Sequence, residues 1–129
     1  MLLGGPAAPA LADVPRGLQL YAEARAAGLI GETDRASRAF AGALTAAPGN
    51  DVVAGEALRH GIVAGEWPLA LAAAQRLEVA GTLASDGRFL LLGDAVKRRD
   101  WTRAEAALAR IPADDPLAML LPVVRAWIA

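Results

Sequence analysis

The side chains able to do chemistry are few in this chain, and they are scattered. His60 is the single histidine. Glu56 stands one helical turn before it, a spacing at which a carboxylate and an imidazole can share a hydrogen bond. Catalysis would also need a nucleophile or a further metal ligand beside them, and the neighbouring sequence offers neither. His60 therefore reads as a surface or half-buried structural residue. Asp114-Asp115 has the form of a carboxylate pair for acid–base work, but its place ahead of a helix-forming run suits a cap. Gly61 and Gly65 make a G-x-x-x-G, which in a helical hairpin marks close packing. Motifs for a nucleophile elbow, a phosphate loop, a dinucleotide fold or a zinc protease are missing. With no cysteine, there is no disulfide framework and no thiolate metal site. The chain is expected to be non-catalytic, with no catalytic residue, no metal and no cofactor.

Charge narrows the partners. Lys97-Arg98-Arg99 ends a predicted helix, where cations complement the helix dipole. A nucleic-acid patch needs more basic residues spread along one face, and the formal net charge is -1. Nucleic acid is therefore not an expected partner. The longest uncharged runs are about a dozen residues, short of the roughly 20 that span a bilayer, so no membrane span is expected.

The elements that must carry these residues are helices. Of the 129 residues, 55% are hydrophobic and only 5% aromatic, which is too apolar for a disordered chain. Alanine and leucine favour helix, and alternating runs of β-branched residues are absent. The segments read as seven helices, over 16–30, 33–47, 51–64, 67–80, 86–99, 102–111 and 116–129. Pro15 and Pro116 fit first-turn positions, and Thr102 with Glu105 fits a capping box. Gly31, Gly65 and Gly81 suit left-handed C-caps. Short connections make consecutive helices antiparallel neighbours.

The segments also repeat. Gly31-Glu32-Thr33, Gly65-Glu66-Trp67 and Arg99-Asp100-Trp101 follow one another at 34-residue steps. Ala36, Ala70 and Ala104 keep the same step, as do Phe40, Ala74 and Leu108, and Ala43, Leu77 and Ile111. A fixed period of this length marks a stack of like units.

A 34-residue helix-turn-helix period with small residues at fixed slots resembles the tetratricopeptide repeat, of bacterial type. The first unit matches best, with Gly31, Ala36, Phe40, Ala43, Pro48 and Asn50. The second keeps Gly65, Glu66, Trp67 and Ala70, and the third keeps Asp100, Trp101 and Ala104. The family's early tryptophan is replaced by Leu20, Ala54 and Arg88, and its closing proline is lost in the second unit. The resemblance implies an all-α fold, a right-handed solenoid of antiparallel helix hairpins. It would comprise about three 34-residue repeats and one extra helix, in a single domain over 16–129.

The resemblance also implies a function, binding of a protein or peptide partner in a concave groove lined by the first helix of each hairpin. On the family's pattern the groove presents Tyr21 and Arg25, then Arg59 and Ile62, then Phe89, Val96 and Lys97. This mixed basic and apolar strip suits a peptide with a carboxylate and apolar side chains. The family's carboxylate-clamp slots hold Tyr21, Glu56, Asp86 and Leu90, two of them acids, so a chaperone-tail receptor is not expected.

The two ends raise separate expectations. Residues 1–15 form an apolar Ala/Pro leader, and Ala10-Leu11-Ala12 has the look of a signal-peptidase site. A plain leader leaves the protein in the cytoplasm, whereas the tail of a secretory signal would place it in the periplasm. The segment 116–129 carries apolar residues nearly all round, and Pro122 within it must kink or split a helix. Leu120, Val124, Trp127 and Ile128 are expected to form an exposed interface there. Such a surface fits a structural N-terminal segment of a longer, truncated repeat protein, or homo-oligomerisation.

Overall fold

Chain reversals of one design set the architecture: three close the hairpins, and a fourth, with Leu77 accepting from the Thr82 amide (2.9 Å) across the left-handed Gly81 (φ +77°), leads from the second pair to the third. In each hairpin closure, a carbonyl in the last turn of one helix accepts a bond from the amide five residues on: Ala27 from Glu32 (2.9 Å), Gly61 from Glu66 (2.8 Å), Ala95 from Asp100 (2.9 Å). This six-to-one closure requires a left-handed residue in between. Gly31 (φ +80°), Gly65 (φ +72°) and Arg99 (φ +58°) supply it. These hairpin reversals recur at the 34-residue step read in the sequence.

A computed structural model describes residues 15–129. The leader, with its possible signal-peptidase site, lies outside the described residues apart from Pro15. The elements are α1 (Arg16–Leu29), α2 (Thr33–Ala46), α3 (Asp51–Ala64), α4 (Trp67–Ala80), α5 (Ser85–Lys97), α6 (Trp101–Ala109), a 3-10 turn (Ala118–Leu120) and α7 (Leu121–Ile128). Helices pack in consecutive pairs, α1 with α2, α3 with α4 and α5 with α6; the α2–α3 and α4–α5 contacts join the pairs. The chain is thus an all-α helical repeat solenoid. Among the described residues, no helix is long and apolar enough to cross a membrane.

Alanine is what lets the paired helices approach. Ala36, Ala70 and Ala104 are each fully buried, at the same slot of the second helix in every pair. A Cβ added at Gly61 would lie 2.8 Å from the Ala70 amide nitrogen and 2.9 Å from its Cβ, so the α3–α4 crossing admits only glycine there.

The core is divided. One cluster joins α1 to α4 and takes in Leu83 and Leu91 from beyond them; the other joins Leu92 and Ala95 of α5 to Leu108, Ile111 and Leu121. Arg88 of α5 ties the α4–α5 connection to the end of α6, donating to the carbonyls of Leu83 (3.1 Å) and Arg110 (2.7 Å).

Two local expectations change. The cap of α6 is Asp100, whose carboxylate accepts from the Arg103 amide at 3.0 Å; the helix begins at Trp101, so Thr102 and Glu105 lie inside it rather than forming a capping box. The left-handed Arg99 delivers Asp100 to the slot held by Glu32 and Glu66, and the acid is already in place. The last segment is not one helix over 116–129. Pro122 falls in the first turn of α7, because a proline without an N–H breaks a helix interior but suits a start. Asp115 anchors the preceding turn, accepting from the Leu117 amide (2.9 Å) and from the Ser85 hydroxyl of α5.

Candidate functional site

The first helix of each pair carries a stripe at i, i+4 and i+7, the spacing of one helix face. On α1 the stripe is Tyr21, Arg25 and Gly28; on α3 it is Gly55, Arg59 and Ile62; on α5 it is Phe89, Gly93 and Val96. The three stripes correspond at 34-residue steps.

Arg25 and Arg59 are joined through a third residue. The Arg25 guanidinium donates to one carboxylate oxygen of Glu56 at 2.5 Å, and the Arg59 guanidinium donates to the other. One carboxylate thus answers two guanidiniums, and the arginine side chains stay about half and two-thirds exposed. They border an open cleft of about 350 Å³ lined also by Ala24, Gly28, Phe40, His60 and Val63. A guanidinium has five N–H donors in a fixed fork, so most of the donors at this mouth are left for a ligand carboxylate.

His60 forms part of the cleft wall, and its partner is not Glu56. Ser37 Oγ of α2 lies 2.9 Å from His60 Nε2, and the imidazole leans on the Phe40 ring with centroids 5.1 Å apart. The pair is a polar link between α2 and α3. Glu56 is drawn to the arginines, whose permanently charged guanidiniums give strong charge-assisted bonds to a carboxylate.

The remaining groove residues fall into place unevenly. Tyr21 is half-buried, edge-on to Phe40 at 6.3 Å. Ile62 packs half-buried on the first core cluster, while Phe89 and Val96 pack on the second. Lys97 is exposed. Phe89 and Lys97 line a separate cleft of about 320 Å³ between α4 and α5, with Trp67, Leu71, Leu90, Gly93 and Asp94. Sequence reasoning placed Trp67 only as a repeat marker. Its 34-residue equivalence to Trp101 and Thr33, at the start of each second helix, is the signal that it stands at a rim.

The terminal surface is two-sided. Leu121, Val124 and Ile128 form one face of α7, packed on the second core cluster. Of the four residues expected to be exposed, Val124 and Ile128 thus turn inward, because the i, i+3, i+7 spacing from Leu121 carries them there. Leu120 and Trp127 stay out, joined by Met119 and Val123; Trp127 is 73% exposed. Among the described residues, no group of three or more acids or histidines is placed to hold a metal ion. No family model, curated protein or solved structure matches the chain.

Proposed function

We propose that the protein is a non-catalytic interaction scaffold, related to the tetratricopeptide repeats, that binds a peptide or protein segment along the face formed by α1, α3 and α5. The observation that carries this reading is the convergence of Arg25 and Arg59 on Glu56 at the mouth of an apolar cleft. Two guanidiniums on separate helices, sharing one carboxylate, present a net positive, donor-rich edge beside Phe40, Leu29 and Val63. Such an edge complements a segment that carries a carboxylate next to an apolar side chain.

The test is an NMR titration of the labelled chain with two synthetic peptide pools, one acidic and one basic. Both pools carry the same apolar residues. Shifts confined to the α1, α3 and α5 face, induced by the acidic pool and lost in Arg25→Glu/Arg59→Glu, are the expected result. Shifts on the outer faces of α2 and α4, or equal shifts from both pools, would sink the proposal.

A second reading, self-association or support of a neighbouring segment, has the outer face of α7 behind it. Met119, Leu120, Val123 and Trp127 leave a contiguous apolar strip in water, which surfaces of free monomers seldom do.

A further inference from the structure

The cleft between α4 and α5 is walled by Trp67, Leu71, Phe89 and Leu90, with Lys97 and Asp94 at its rim. Two features of it lack a structural reason. Trp67 remains 52% exposed although it stands beside unfilled space. Gly93 lies in the middle of α5, where glycine is the least favoured residue short of proline.

Crowding explains the helical glycines Gly17 and Gly61; it does not explain Gly28 and Gly55, nor Gly93. A Cβ at Gly17 would meet Ala47 at 2.9 Å, and one at Gly61 would meet Ala70 at 2.8 Å. A Cβ at Gly93 would meet nothing within 4 Å. Packing therefore does not demand this glycine, and helix stability argues against it. Its one visible consequence is that the cleft stays open.

The charges around the cleft favour an anionic occupant. Asp94 is held by Arg98 at 2.9 Å, which leaves Lys97 as the uncompensated rim charge. Farther along the same face, Glu56 is shared by Arg25 and Arg59. With Asp86, which lies one turn before Phe89 on the same stripe of α5, four cations stand against three carboxylates on a chain whose net charge is -1. A small neutral apolar molecule would fill the cleft but leave those cations unused. Phe89 and Lys97 belong both to the cleft and to the α1, α3 and α5 face, so one extended segment can reach both.

We infer that this cleft is a specificity pocket that takes one bulky apolar side chain, aromatic or long aliphatic, of an acidic peptide partner. The inference rests on the groove reading above and adds to it the second element of the recognised sequence. It is tested by selecting a random linear peptide library on the full chain, on Gly93→Leu and on Gly93→Ala. A methyl at 93 meets nothing within 4 Å and leaves most of the cleft open, while leucine adds three more carbons at a residue that lines it; thermal melts check that both variants are folded.

The expected result is a selected consensus that pairs acidic residues with one bulky apolar position. A synthetic peptide of that consensus should bind Gly93→Leu about tenfold or more weakly, and Gly93→Ala almost as the parent does. An acidic consensus with no apolar preference, bound equally by all three proteins, would overturn the pocket and leave the groove standing. No enrichment on any of the three would overturn both.

Discussion

Arg99 stands 34 residues after Gly65 and copies its backbone: φ is +58° at the arginine and +72° at the glycine. Both close the same six-to-one turn, so the arginine occupies a left-handed position where its Cβ crowds the following carbonyl. Arg99→Gly is expected to stabilise the protein by about 1 kcal/mol, less the extra entropy the glycine gives the unfolded chain. Gly65→Arg should cost a similar amount. Urea unfolding of the two variants measures both, and a lower midpoint for Arg99→Gly would contradict the account.

Two helical glycines should respond to alanine with opposite signs. Gly61→Ala forces a methyl against the Ala70 backbone at 2.8 Å, and overpacking of this kind costs about 1–3 kcal/mol. Gly55→Ala places its methyl where nothing lies within 4 Å, and should stabilise α3 by up to about 1 kcal/mol. Thermal melts of the pair provide the check.

Asp115 gives the fold an acid-sensitive joint. The Ser85 hydroxyl, and after it the Leu117 amide, hold its carboxyl below the ordinary value of 3.8. A depressed folded-state pKa means that the stabilisation is complete above 3.8 and lost as pH falls through the lower folded value. Asp115→Asn should therefore lose less stability than the parent on acidification below pH 3.8. Unfolding midpoints measured across that range should converge at the acid end.

The outward face of α7 can be tested without harming the core. Val123 and Trp127 are 70% and 73% exposed, so Val123→Glu/Trp127→Glu should leave the melting temperature nearly unchanged. If the face mediates self-association, sedimentation velocity should show the parent forming larger species with rising concentration while the variant remains monomeric. Identical profiles would dismiss that role.

The repeat frame could be found from sequence because it depends on slots: glycine or a turn residue, an acid, then alanine four places after the acid. Those constraints act within one hairpin, and the sequence places their members close together. What the sequence hid lies between hairpins. Ser37 and His60 meet across 23 residues, and Trp67 shares a cleft with Phe89 from the next unit; periodicity fixes neither pairing. Glu56 shows the same limit. Helical spacing offered it His60, while a guanidinium 31 residues away took one of its oxygens. On α7, the apolar residues that looked alike divide into inward and outward faces only once Pro122 sets where the helix starts.

The divided core has a consequence for how the molecule opens. Leu83 and Leu91 belong to the larger cluster and Leu92 to the smaller, so α5 is the boundary between two cooperative blocks. In a solenoid, each block answers mainly to its neighbour. Amide hydrogens of α6 and α7 should then exchange through a partial opening that leaves α1–α4 protected, at a free energy below that of whole-chain unfolding. A ligand bridging Arg25 on one block and the Trp67–Phe89 cleft at the boundary would couple the two, and slow exchange at both ends of the molecule together.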